Sequence, residues 1–125
     1  MAGTYTDIVE VQAPDEAAAN DTVNVAVGIA NRWSSAIHIY CVGVLDSESR
    51  FINWQDAWVN PGETHYFNGS FVMPGRDVTI NAYSYFEGDD GYLHLDDSRT
   101  KAVKLAAAPP SPSITNFSIA DYVKV

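Results

Sequence analysis

The sequence holds one cysteine, Cys41, in 125 residues. No disulfide can form within one chain, so stability has to come from a buried core. Cys41 lies in the apolar run IHIYCVGVL and reads as a small buried hydrophobe rather than a reactive thiol. Basic residues are also scarce, with seven Lys and Arg against sixteen Asp and Glu and a formal net charge of −9. Nucleic acid is therefore not expected as a partner, because binding phosphates needs a basic face. No apolar run approaches the ~18 residues of a membrane span, and no membrane partner is expected. The opening MAGTYTDIVEV lacks the basic and apolar segments of a signal peptide. The chain is expected to be made and folded in the cytosol, unless it is excised from a longer exported protein.

Helix signals are nearly missing as well. The helix-friendly DEAAAN (15–20) is too short and has no apolar periodicity. What is present is a series of strands. TDIVEVQ (6–12) is the first, stopped by Pro14. DTVNVAVGIAN (21–31) alternates Val23, Val25, Val27 and Ile29 with Asn24, Ala26, Gly28 and Ala30, a period of two over a full strand. AIHIYCVGVL (36–45) is apolar on both faces and predicts a central strand. RFINW (50–54) predicts a shorter one. THYFNGSFVM (64–73), VTINAYSYF (78–86) and TKAVKLA (100–106) follow, with turns at NPGE (60–63) and PGRD (74–77).

About seven strands with turns between them and no intervening helices predict an antiparallel β-sandwich with Greek-key connections. Its interior is expected to hold Val23, Val25, Val27, Ile29, Ile37, Ile39, Phe67, Phe71, Val78, Ile80 and Val103. The sandwich is placed at residues 1–105, followed by the Ala/Pro-rich tether AAAPPSPS (106–113). The last segment, ITNFSIADYVKV (114–125), again reads as a strand. With nothing after it to pair with, it is expected to bind another subunit or a partner protein through Ile114, Phe117, Ile119, Tyr122 and Val123.

The stretches VEVQAPDEAAANDTVNVAVGIAN and VNPGETHYFNGSFVMPGRDVTINAYSY resemble bacterial and archaeal Ig-like modules, such as the cell-adhesion-related domains of surface proteins. Modules of this kind are also appended to phage capsid, decoration and tail proteins. The similarity covers roughly residues 6–105. It implies an Ig-like fold and a structural or binding role in a virion or a cell-surface assembly, and it supplies no site residues.

No motif asks for a cofactor. His38, His65 and His94 are the only candidate general bases, and no nucleophile elbow, phosphate loop or zinc-ligand spacing accompanies them. No catalytic residues are assigned, and a non-enzymatic module is expected. Between 87 and 97 the acids gather as Glu87, Asp89, Asp90, Asp96 and Asp97, with Gly88 and Gly91 among them. GDDG reads first as a hairpin turn, and a calcium ion held by these oxygens is the alternative. Trp54 and Trp58, placed in the connection before NPGE, and Tyr92 in the hairpin are candidate glycan-stacking residues. Trp33, like them, reads either as core packing or as a binding surface.

Overall fold

The computed structural model describes residues 3–107, and over that range the chain is all β. Eight strands run in order: β1 (Thr6–Gln12), β2 (Glu16–Ala17), β3 (Thr22–Asn31), β4 (Ile37–Leu45), β5 (Ser49–Val59), β6 (Thr64–Val72), β7 (Val78–Glu87) and β8 (Leu93–Leu105). They form a three-stranded sheet, β1-β3-β6, and a five-stranded sheet, β2-β8-β7-β4-β5. Every pairing is antiparallel except the short β2–β8 contact. The chain crosses between the sheets at every connection except β4–β5 and β7–β8, so most sequence neighbours face each other across the core.

The alternation of β3 sets the register. Val23, Val25, Val27 and Ile29 all point inward and are buried. Beside them in the same sheet β6 sends in Phe67 and Phe71, and across the core β4 sends in Ile37 and Ile39, β7 Val78 and Ile80, and β8 Val103, each of them buried. All eleven residues expected in the interior lie there. The core also takes Ile8, Ile52, Val59 and Met73, and Cys41, whose thiol is pushed up to about 12 by burial. A thiol held that far from its thiolate is a packing group.

Two elements are longer than the sequence pattern predicts. The strand expected at 50–54 continues to Val59, because a bulge interrupts it. Cys41 pairs with Gln55 but Gly43 pairs with Ile52, which leaves an extra residue on β5 at a point where Trp54 has a φ of 55°. That is the left-handed region, costly for a side chain of this size. The bulge resets the alternation and hides the second half of the strand. Trp54 and Trp58 thus lie within β5, and the connection expected there does not exist. The last strand starts at Leu93 rather than at 100.

The turns follow the sequence. Glu63 N–H donates to the carbonyl of Asn60, and Gly62 at φ 79° supplies the conformation that a type II turn needs after Pro61. Gly88–Tyr92 closes the β7–β8 hairpin through two backbone bonds, Gly88 N–H to Tyr92 O and Gly91 N–H to Gly88 O, each 3.0 Å.

One margin of the sandwich is closed by side chains. β1 is the edge of its sheet, and its outward N–H groups are met by carboxylates from β8. Asp96 accepts from the backbone N–H groups of Thr4 (3.1 Å), Tyr5 (3.1 Å) and Thr6 (2.7 Å) and from the Thr6 hydroxyl (2.6 Å). Asp97 accepts from Ile8 N–H at 2.8 Å, and Arg99 donates to the carbonyls of Ile8 (2.9 Å) and Val9 (2.6 Å). A Cβ at Gly3 would overlap the Asp96 carboxylate, so the chain can approach this closely only as glycine. Unpaired edges template aggregation, and here the edge is occupied without a further strand.

Candidate functional site

The acids that cluster in the sequence are separated in space. Asp96 and Asp97 are turned onto β1, as described, while Asp90 stays at the hairpin tip. There Asp90 accepts from Tyr92 N–H (3.0 Å) and pairs with His94 Nε2 (2.9 Å). These two contacts hold its carboxyl below the usual aspartate range. Glu87 and Asp89 face a third direction, into a cleft. The calcium arrangement of Glu87, Asp89, Asp90, Asp96 and Asp97 is therefore not formed. Among the described residues no three side chains of His, Cys, Asp or Glu converge as a metal would require. The physical reason is a bulge in β8: Ser84 pairs with Asp97 but Tyr85 with Leu95, so Asp96 is the extra residue and both it and Asp97 turn onto β1, away from the hairpin acids.

The cleft lies at one end of the sandwich and encloses about 520 Å³. Four segments build it: Tyr5 ahead of β1, Trp33 and Ser35 from the β3–β4 connection, Trp58 at the end of β5, and Phe86 to Asp89 at the β7–β8 hairpin. Tyr5 is packed between Trp33 (ring centroids 4.7 Å, 66°) and Phe86 (4.4 Å). The β3–β4 connection is tied down by Asn31, a buried side chain that donates to the carbonyls of Ser35 (2.9 Å) and Val59 (2.8 Å) and accepts from Trp33 N–H (2.8 Å).

At the floor, His38 on β4 links three strands. Its Nδ1 lies 2.8 Å from Glu87 Oε1 on β7, and its Nε2 lies 2.7 Å from Asp56 Oδ2 on β5. Trp58 stacks on the imidazole at 4.9 Å with the planes 13° apart, and Tyr40 packs against it at 4.6 Å. Both ring nitrogens are engaged by carboxylates, so neither is presented to a nucleophile. Burial works against the charge on the ring. The hydrogen bonds and charges of Asp56 and Glu87 together outweigh it, and the pKa of His38 lies above its ordinary value.

That direction fixes a pH dependence. The charged ring is favoured in the folded state, so its contribution is complete below the unfolded-state pKa of about 6.5 and is lost as pH rises through the higher folded-state value. The melting temperature of wild type minus that of His38→Gln is expected to fall between pH 6 and pH 8. Both carboxylates are well exposed, so the change amounts to about 1 kcal/mol at most. A difference that stays flat over this range would show that the carboxylates do not hold the proton on His38.

The candidate aromatics separate in the same way. Trp58 is 69% exposed and lines the cleft. Trp33 joins it there. Trp54 does not; it sits half-buried on the outer face of the five-stranded sheet against Tyr85 (4.7 Å), with the Arg50 guanidinium 5.8 Å from its ring. Tyr92 is exposed on the hairpin beside the cleft without lining it. The His38 clamp is absent from the sequence reading. Its only signal is that His38 and Glu87 occupy strands that pair side by side, visible once Ile39 is set opposite Phe86. Ile114, Phe117, Ile119, Tyr122 and Val123 lie outside the described residues.

No family model matches the chain, and no curated protein does. Solved structures do. The CARDB domain of a Pyrococcus furiosus protein, determined in complex with di-metal ions, aligns at a TM-score of 0.65 and 15% identity, over 85% of this chain and 93% of its own. The fold is an Ig-like β-sandwich. A chain from the complex of Zinc 2-glycoprotein with Prolactin inducible protein, from human seminal plasma, aligns at 0.61 and 15% identity, over 82% of this chain and 98% of its own. At such identity the likeness establishes the Ig-like architecture, which agrees with the resemblance drawn from residues 6–105.

Proposed function

We propose that this Ig-like domain is a non-enzymatic structural or adhesive module that holds a protein assembly together, in a virion (as a capsid decoration or tail component) or at a cell surface. One observation carries the reading: five of the seven large exposed hydrophobic side chains among the described residues lie at one end of the sandwich, and β8 ends at the other. Trp33, Trp58, Tyr92, Leu93 and Leu95 are all exposed around the cleft and the hairpin beside it. β8 runs the length of the sheet away from that hairpin, ending against β2, where Ala106 N–H donates to Ala17 O at 2.9 Å. A module with a sticky end and a tail issuing from the opposite end suits a chain of contacts between neighbours. That a chain of the same fold was solved in a complex between two proteins is in keeping with this.

The contact on the tail side is assigned to residues 114–125, reached through a tether that spans roughly 25 Å if extended at ~3.1 Å per residue. Deleting residues 108–125, beyond the Ala106 bond, is expected to leave the melting transition of the sandwich nearly unchanged while abolishing assembly in sizing experiments. A truncated protein that still assembles, or that unfolds, overturns the reading. The exposed Trp58 beside carboxylates also favours a second reading, a carbohydrate-binding module. A glycan array showing specific binding lost on Trp58→Ala would establish it.

A further inference from the structure

The cleft has a chemistry of its own. Aromatic rings make its walls, and Trp58, stacked on His38 with one face, leaves the other face open. Its polar rim is acidic. Glu87 and Asp89 both line it, and no Lys or Arg does. The ring of His38, at the floor, is already clamped by Asp56 and Glu87. Asp89, exposed on the hairpin, makes no side-chain hydrogen bond to another described residue, unlike its neighbour Asp90, which is held by Tyr92 and His94. At about 520 Å³ the cleft falls within the ~300–1,000 Å³ common for sites that enclose a small group.

These features discriminate among ligands. An anion would be repelled by the rim and by a chain of net charge −9. A purely apolar group would strip water from the carboxylates without replacing it. A neutral sugar could stack on the rings and donate hydroxyls to the carboxylates, but would leave their charge unbalanced. A flat cation uses both, because an indole face attracts positive charge and a carboxylate gives it a charge-assisted hydrogen bond. Between the two biological cations, guanidinium is planar, stacks on aromatic rings and is more weakly hydrated than an ammonium.

We propose that the cleft receives an arginine side chain of a partner protein, its guanidinium stacked on Trp58 and paired with Asp89. This rests on the reading of the domain as a protein-binding module, and the two can fail separately. Assembly of the 108–125 deletion tests the module, whereas a small-molecule titration tests the chemistry of the cleft.

The probe is N-acetyl-arginine amide, titrated into the full chain at constant ionic strength while tryptophan emission is followed. The comparison ligands are the neutral isostere N-acetyl-citrulline amide and methyl β-glucoside. Saturable binding of the arginine amide is expected at roughly millimolar concentration. The citrulline amide is expected to bind roughly tenfold more weakly, having lost both the cation–π and the ionic contribution. Asp89→Asn should weaken the arginine amide roughly three- to fivefold, the scale of a partly exposed ion pair, and Trp58→Ala should remove the signal. Both positions are exposed, so both variants should fold, which their melting curves check. Equal binding of arginine and citrulline amides, unchanged affinity in Asp89→Asn, or saturation by the glucoside alone would each overturn the proposal.

Discussion

Replacing Ile80 with aspartate is expected to abolish the cooperative unfolding transition. Ile80 is 0% exposed, the third residue of β7, with β4 and β8 on either side. Losing its buried side chain removes about 2–5 kcal/mol through lost transfer and cavity terms. An unpaired carboxylate in the same place adds several kcal/mol more, because its cross-strand neighbour Lys101 is already paired with Asp15. The sum, roughly 5–10 kcal/mol, is comparable with the ~5–15 kcal/mol by which a domain is ordinarily stable. The control is Val72→Asp. Val72 follows Phe71 on β6, where one step along the strand reverses the face, and it is 61% exposed. That substitution is expected to move the melting temperature by only a few degrees. Circular dichroism melts of the two variants read the register directly. A cooperative Ile80→Asp transition near that of wild type would mean that β7 presents its other face to the interior.

Why the register could be read in advance, and the cleft could not, has a physical explanation. Where one face of a strand is buried and the other solvated, composition must alternate, and β3, β6 and β7 announce themselves in that way. The information is local, because each residue's environment repeats every second position. Trp54 breaks the rule. With its φ at 55°, it inserts one residue into β5 and shifts the phase, so the pattern stops at Trp54 although the strand continues to Val59. Nothing in RFINWQDAWV marks a tryptophan as the residue that takes a conformation usually left to glycine.

The cleft is harder still, because its parts come from four separate segments brought to one end by sheet topology. His38 meets Asp56 and Glu87 because β4 lies between β5 and β7. That order requires the sheet, and the sequence carries no short-range trace of it. Read one at a time, the residues offer a histidine in an apolar strand, an acid on an edge strand and an acid before a turn, and each looks ordinary. The same reasoning applies in reverse to the five acids between 87 and 97. Proximity along the chain suggested one cluster, yet the reversal at the hairpin and the bulge at Asp96 distribute them among the cleft, the tip and the margin of β1.

That last destination carries the second large effect. Asp96→Ala is expected to destabilise the domain by about 3–5 kcal/mol. Its carboxylate accepts from three consecutive backbone N–H groups and one hydroxyl, which also bonds Ser84 at 2.7 Å in the interior. Hydrogen bonds to a charged group contribute about 1.5–3 kcal/mol each when buried, and the Thr6 pair is the buried part, since Thr4 is exposed. Asp97→Ala is expected to cost about 1–3 kcal/mol, because it leaves the N–H of Ile8 without a partner at a site where Asp97 itself is 8% exposed. Each loss corresponds to a drop in melting temperature of roughly 4–8 °C per kcal/mol for a domain near 100 residues. Either substitution also reduces the net negative charge, which by itself relieves repulsion, so the measured loss is a lower bound on the bonds removed. Asp96→Asn separates geometry from charge. Its carbonyl oxygen can replace Oδ2 facing Tyr5 and Thr6, while its amide turns a donor towards the exposed N–H of Thr4, and it should fall between wild type and alanine. Hydrogen exchange supplies a local readout, with the amides of Thr6 and Ile8 losing protection ahead of those of Val25 and Val27 in the alanine variants. Should Asp96→Ala melt within a degree of wild type with the Thr6 amide still protected, β1 would be held by its pairing with β3 alone, and the carboxylates along its edge would contribute nothing to the fold.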